Sequence, residues 1–254
     1  MPPHWLVFTL LWGSPQKLLP CHHNMPVRPF FSAVIFDLDG LVLDTESTYT
    51  LAWRHAAEAM GYGLSESFCQ SLSGLHYQDV EAKLLAVCGA DFDLQAFNQQ
   101  AGACWRASAN AFGIPVKPGV RELLRYLNGQ GIPFALATNS RAANVRECLA
   151  LSGLSGAFLR QVTRDDVVAG KPEPDVFLQA ATLLKTPIRQ CLVLEDSLTG
   201  IIAAQKAGAF SVLVPSVSPT DPQAAALCDL LLPDLHALLA TIRSEFPYPH
   251  RNQV

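Results

Sequence analysis

Apolar residues follow two rhythms along the chain. Short, almost wholly apolar runs stand at Ser32–Phe36 (SAVIF), Pro133–Thr138 (PFALAT), Gln190–Leu194 (QCLVL) and Phe210–Val214. Runs of this length, bounded by turn-forming residues, predict strands buried on both faces. Arg160–Thr163 and Leu227–Leu232 are shorter candidates of the same kind. Between these runs the apolar positions recur at helical spacing, predicting helices over Val120–Gln130, Arg141–Leu151, Pro174–Leu184, Leu198–Ala207 and Leu235–Ile242. Pro118 stands at the start of the first, and Gly131, Gly153 and Gly208 close three of them, the usual placement of proline and glycine at helix ends. Strands alternating with helices predict an α/β fold with a parallel, Rossmann-like sheet covered on both faces.

Residues 45–112 break this alternation. Apolar spacing predicts helices over Thr45–Met60, His76–Cys88 and Leu94–Phe112, with Ser65 capping a shorter one, and no strand. This stretch therefore reads as a helical insertion after the first strand, with residues 29–44 and 113–244 forming the core domain. Residues 1–28 are expected to lie outside the fold, with Met25 as an alternative start. The apolar run Trp5–Trp12 is far short of the ~20 residues that span a bilayer, and it lacks the basic flank and small-residue cleavage site of a signal peptide. The tail beyond Glu245 reads as loose.

Composition narrows the classes. At 254 residues, 50 % apolar and 16 % charged, the chain has enough apolar sequence for a sizeable core and is not a disordered polymer. Its net charge is −4 with no basic run, which argues against a nucleic-acid partner. Seven cysteines, an odd number with no C-x-x-C pair, argue against a disulfide framework or a zinc site and predict reduced thiols in a cytoplasmic protein. A monomer without membrane attachment is expected.

Ligands of open α/β sheets sit beyond the carboxyl ends of the strands, and the polar residues of this chain collect there. SAVIF runs into Asp37 and Asp39, PFALAT ends in Thr138-Asn139-Ser140, and QCLVL runs into Glu195-Asp196; the other marked loop is Gly170-Lys171-Pro172. Carboxylates crowded into a dry crevice need a counter-charge. Oxygen ligands without His or Cys suit Mg²⁺ rather than zinc. Lys171, the Thr138 hydroxyl and the helix start near Ser140 suit a tetrahedral anion. Such a set fits phosphoryl transfer, in which a carboxylate attacks phosphorus and a second handles the proton.

Asp37-Leu38-Asp39-Gly40, Thr138, Lys171 and Glu195-Asp196, in this order and spacing, resemble the four motifs of the haloacid dehalogenase (HAD) superfamily. The segments FDLDGLVLDTE, GKPEPDVF and LEDSLTGIIAAQKAGA are similar to its branch of β-phosphoglucomutases and sugar- and nucleoside-phosphate phosphatases. The resemblance implies a HAD core with a helical cap at residues 45–112. It implies Asp37 as nucleophile and metal ligand, and Asp39 as general acid/base with its main-chain carbonyl on the metal. Thr138, Lys171 and the Asn139 N–H would hold the phosphoryl group. Asp196 would be a metal ligand, and Glu195 a direct or indirect partner of the metal. His76, Tyr77 and Arg106 are candidate cap residues for substrate selection, against the plainer reading of cap surface and packing. Asp44 and Asp175 read as structural acids.

Two departures bear on activity. Tyr49 stands where β-phosphoglucomutases carry a cap-proximal His, and Tyr77 where they carry an Arg for the second phosphate. The expected activity is thus Mg²⁺-dependent hydrolysis of a small phosphorylated metabolite, a sugar or nucleoside phosphate, through an aspartyl-phosphate. A phosphosugar mutase and a non-catalytic metabolite-binding protein are the alternatives.

Overall fold

The first strand, β1 (Ala33–Phe36), lies at the centre of the molecule with all four residues buried. The computed structural model describes residues 31–72 and 77–245; the expectations for residues 1–28, the tail and His76 fall outside them. β1 pairs in parallel with β2 (Phe134–Ala137) on one side and β4 (Cys191–Glu195) on the other. β3 (Gln161–Val162) joins beyond β2, and β5 (Phe210–Leu213) and β6 (Leu230–Leu231) beyond β4. The six-stranded order is β3-β2-β1-β4-β5-β6. This is an α/β, Rossmann-like arrangement, and the chain reverses its direction of travel across the sheet at β1 and β4, where such folds open a crevice.

Strand residues alternate between two layers, as the two-residue period of a pleated strand requires. Val34, Phe36, Leu136, Leu192, Leu194 and Val212 share one apolar cluster with helices α5 (Val120–Gln130), α6 (Ala142–Leu151) and α10 (Leu235–Glu245). Ala33, Ile35, Ala135, Ala137 and Val193 share the other with α7 (Asp175–Leu183) and α8 (Leu198–Ala207). Small residues on the second face let α7 and α8 pack close to the strands that carry the polar ends.

Between β1 and β2 run four helices before α5: α1 (Thr45–Ala59), α2 (Glu66–Gln70), α3 (Tyr77–Cys88) and α4 (Leu94–Phe112). They bury a cluster of their own around Ala56, Leu72, Leu84, Phe92 and Phe97. α1 and α4 each present a second apolar stripe, Ala52 on one and Trp105 and Ala109 on the other, to the sheet-side cluster. The Trp105 indole donates to Thr48 Oγ1 at 3.0 Å, tying the two helices together beside the site. Asp44 caps α1 by accepting from Ser47 N at 3.3 Å. It does the structural work that the sequence assigns to it.

One α-helix was not expected. The sequence reading has only a short strand over Leu227–Leu232, whereas the chain forms α9 (Pro222–Leu227) before the two-residue β6. Asp221 accepts from Gln223 N at 2.8 Å and Ala224 N at 2.9 Å, and Pro222 fixes the first helical φ. The six described cysteines are unpaired. Among the described residues no helix is long and apolar enough to cross a membrane.

Candidate active site

The loop after β1 turns back sharply at Gly40, whose φ of +87° suits glycine. A Cβ there would lie 2.0 Å from Asp196 Oδ2, so Gly40 also makes the room in which Asp196 stands. Asp37, just after β1, thus stands beside Glu195, the last residue of β4, and Asp196, which follows it. One carboxylate oxygen each from Asp37, Glu195 and Asp196 lie within 4.8 Å of one another. Asp37 is 6 % exposed and Glu195 fully buried.

One cation enters this cluster. Lys171 Nζ bonds Asp37 Oδ1 and, at 2.6 Å, Glu195 Oε1. The Lys171 main chain is held from the β2 side: Asn139 Oδ1 accepts from Lys171 N at 2.8 Å and Asn139 Nδ2 donates to Lys171 O at 3.0 Å. Glu195 is used on both oxygens. Its Oε2 accepts from Asp196 N at 3.1 Å and Ser197 Oγ at 3.1 Å. Gly200 gives it space, since a Cβ there would sit 1.8 Å from the Glu195 carboxyl carbon.

The electrostatics follow from burial. Desolvation raises the Asp37 pKa to about 8; Lys171 opposes the rise, and the charges of Glu195 and Asp39 add to it. Asp196 is pushed well up by burial, then by Asp37 and Glu195, and the Ser216 side chain offsets part of that. Burial lowers the affinity of Lys171 for its proton, but the charges of Asp37 and Glu195 outweigh it and hold the ammonium well above its ordinary pKa. Lys171 thus pairs with two of the three acids, and a third beside them, Asp196, leaves a set of hard oxygen ligands that fits a divalent cation.

Asp39 leaves this cluster. Its Oδ2 accepts from Ser140 Oγ at 2.7 Å, with Thr138 Oγ1 at 3.5 Å, so its carboxylate faces the end of β2. The Thr138 hydroxyl also caps the turn, accepting from Ser140 N at 2.9 Å. The main-chain N–H groups of Leu38, Asp39 and Asn139 make no hydrogen bond among the described residues. They are donors left without a partner beside Asp37, Asp39 and Thr138.

A cavity of about 650 Å³ joins these groups to α1, α3 and α4. Asp37, Asp39, Thr138, Asn139, Lys171 and Asp196 line it from the sheet side. Glu195 does not line it, and lies behind Lys171. From the insert come Glu46, Tyr49, Trp53, Leu72, Val80, Glu81 and Asn98. Tyr49 stacks between Trp53 and Trp105, at 6.2 and 5.5 Å between ring centroids.

The candidate cap residues divide differently from expectation. Arg106 is not among the residues lining the cavity over Asp37; it lines a groove that adjoins the cavity and shares Glu81 and Asn98 with it. Its guanidinium lies over Gly102, one turn back along α4. Tyr77 opens α3; its side chain, like His76, lies outside the described residues. Four contacts had no signal in the sequence that singled them out: Ser140 on Asp39, Ser197 on Glu195, Ser216 beside Asp196 and Glu46, and the cavity face of Glu81.

Comparison with known proteins places the chain. The profile of haloacid dehalogenase-like hydrolases matches residues 34–214. A bifunctional riboflavin kinase/FMN phosphatase of Arabidopsis thaliana is 34 % identical over 75 % of this chain, which spans 50 % of that protein's length. The β-phosphoglucomutase of Bacillus subtilis is 30 % identical, covering 74 % of this chain and 84 % of its own. A phosphorylated carbohydrates phosphatase of Thermotoga maritima is 32 % identical, covering 69 % and 81 %. Among solved structures, a HAD family hydrolase of Deinococcus radiodurans, with bound phosphate and sodium, superposes with a TM-score of 0.72 at 28 % identity over 85 % of this chain and 96 % of its own. The chain belongs to the haloacid dehalogenase-like hydrolases and, with sugar-phosphate phosphatases among its relatives, sits with their phosphoric monoester hydrolases.

Proposed function

We propose that the chain is a Mg²⁺-dependent phosphatase of small phosphorylated metabolites, sugar or nucleoside phosphates, working through an aspartyl-phosphate on Asp37. One observation carries the reading. The acids Asp37, Glu195 and Asp196 lie together, with Lys171 bonded to the first two, while Asp39, two residues from Asp37, is held apart by Ser140. Two carboxylates in one cavity, with different partners, suit two different tasks.

Asp37 and Asp196, with the Asp39 main-chain carbonyl, would hold the cation, and Glu195 would fix Lys171 and the Asp196 backbone from behind. The cation, when bound, would neutralise the acids and the phosphoryl oxygens. The Asp37 carboxylate then attacks phosphorus, and the bond from phosphorus to the ester oxygen breaks. Asp39 gives its proton to the departing alcohol. In the second step Asp39 takes a proton from a water whose oxygen attacks the same phosphorus; the Asp37 carboxylate leaves and inorganic phosphate is released. Lys171, Thr138 and the N–H groups of Leu38, Asp39 and Asn139 steady the equatorial oxygens. Tyr49, Trp53 and Leu72 enclose the alcohol and limit water.

The test is phosphate release from a panel of sugar phosphates and nucleotides with and without Mg²⁺. Asp37→Asn abolishes turnover and chelation suppresses it; full turnover by that variant would end the reading. The match to a β-phosphoglucomutase supports a second reading, a phosphosugar mutase, in which isomerised sugar phosphate accumulates instead of free phosphate.

A further inference from the structure

The cavity has a charge imbalance that hydrolysis itself does not require. Among its described lining residues, Asp37, Asp39, Glu46, Glu81 and Asp196 face a single cation, Lys171. That ammonium is already bonded to Asp37 and Glu195. Glu46 shares Ser216 with Asp196 and has Lys117 near it, so the part of the cavity farther from Asp196 offers the carboxylate of Glu81, the amide of Asn98, and the rings of Tyr49 and Trp53.

Among the described residues, no Lys or Arg of the helical insert lines the cavity itself. From residue 45 to 112 the sequence holds Arg54, Lys83 and Arg106 and no other Lys or Arg. Arg54 lies 3.6 Å from Glu66 and lines, with Lys117 of the core, a cleft that shares Glu46 with the cavity. Lys83 donates to Ser71 O at 3.3 Å. Arg106 lines the groove that adjoins the cavity at Glu81 and Asn98. Glu81, by contrast, is half-buried on α3, with its Oε1 accepting from Asn98 Nδ2 at 3.4 Å, and it belongs to both the cavity and that groove. It stands at the entrance.

We propose that this cavity admits monophosphate esters whose alcohol half is neutral or positively charged, and turns away those carrying a second anionic group, with Glu81 as the cap residue that sets the preference. The inference rests on the phosphatase reading. A like charge brought against an unpaired carboxylate costs binding, and a low-dielectric wall focuses that field into the cleft. Glu81 and Asn98 meanwhile offer an acceptor and a donor to hydroxyl or ammonium groups, and Tyr49, Trp53 and Val80 cover the carbon skeleton. Selectivity here comes as much from repulsion as from attraction.

The experiment measures competition against para-nitrophenyl phosphate hydrolysis by three compounds of similar size: glucose 6-phosphate, glucosamine 6-phosphate and 6-phosphogluconate. The anionic compound is expected to compete about tenfold more weakly than the neutral one, and the cationic compound at least as well as the neutral one. The gap closes as ionic strength rises. Glu81→Lys narrows it about fivefold and Glu81→Gln by a smaller factor. Equal competition by 6-phosphogluconate in the unmodified protein overturns the inference even while para-nitrophenyl phosphate is turned over. An unchanged gap in Glu81→Lys overturns the role of Glu81. If para-nitrophenyl phosphate is not hydrolysed at all, the phosphatase reading itself fails, and the selectivity falls with it.

Discussion

Asn139 grips the main chain of Lys171 from both sides, its Oδ1 accepting from Lys171 N at 2.8 Å and its Nδ2 donating to Lys171 O at 3.0 Å. These residues are 32 apart in sequence, so this clamp locks the lysine loop to the end of β2. Replacing Asn139 with Ala leaves Lys171 its ion pairs but frees its backbone. Since misplacing a catalytic group by about 1 Å can cost a hundredfold in rate, kcat is expected to fall by about ten- to a hundredfold with a smaller change in stability. Steady-state kinetics beside a urea titration of Asn139→Ala separates the two effects. A large loss of stability with unchanged kcat would contradict the positioning role.

Lys171 is the cation bonded to the fully buried Glu195 carboxylate, at 2.6 Å. Removing one partner of a buried pair leaves an uncompensated charge and costs about 3–5 kcal/mol. Lys171→Met is therefore expected to lower unfolding free energy by an amount of that order, and to abolish turnover. In the double variant Lys171→Met/Glu195→Gln no charge is stranded at Glu195, so part of the stability returns while activity does not. Chemical denaturation of the four proteins of this cycle measures the coupling.

Asp37 sets the pH response of the cation-free protein. Its pKa is raised from 3.8 to about 8, first by burial and then by Glu195 and Asp39 against the opposing pull of Lys171. Between those values the folded chain keeps a proton that the unfolded chain has lost, so stability is highest below the lower value and falls as pH rises through the upper. Asp196 is shifted in the same direction. The melting temperature without divalent cation is expected to drop from about pH 5 to about pH 8. Asp37→Asn flattens that slope, and Mg²⁺ restores stability at the alkaline end while releasing protons on binding. Differential scanning calorimetry across this range checks the sign; a melting temperature that climbs with pH would refute it.

Gly200 tests the packing behind the site. It lies inside α8, where replacing Gly with Ala ordinarily stabilises a helix by about 1 kcal/mol. Here the added Cβ would sit 1.8 Å from the Glu195 carboxyl carbon and 2.0 Å from both of its oxygens. Gly200→Ala is expected to destabilise the protein, against its helix propensity, and to cost activity by displacing Glu195 from Lys171. A rise in melting temperature would show that Glu195 has room to move.

The strands and most helices were legible because they are local. SAVIF and QCLVL are too apolar to tolerate exposure, and each ends where polar residues begin, so both the sheet and the edge carrying the site could be read. α9 was missed although its signal, Asp221 followed by Pro222, was present; the alanines after it form no apolar stripe long enough to register. Arg106 is a candidate that the sequence leaves open between substrate selection and cap surface, because a residue type alone does not say which cleft a side chain lines; it lines the groove adjoining the cavity.

What the sequence determined by itself is the order of elements, the insertion between β1 and β2, and the acids, threonine and lysine that belong to the strand ends, since these follow from local periodicity and motif spacing. Only the tertiary structure decided how the acids divide. Ser140, 101 residues from Asp39, holds it at the β2 end, whereas Lys171, 134 residues from Asp37, binds Asp37 and Glu195 together. That division depends on the register of parallel strands and on two glycines that let carboxylates approach the backbone. Neither the strand register nor the close approach leaves a periodic trace in the chain, because both are set by contacts between residues far apart along it.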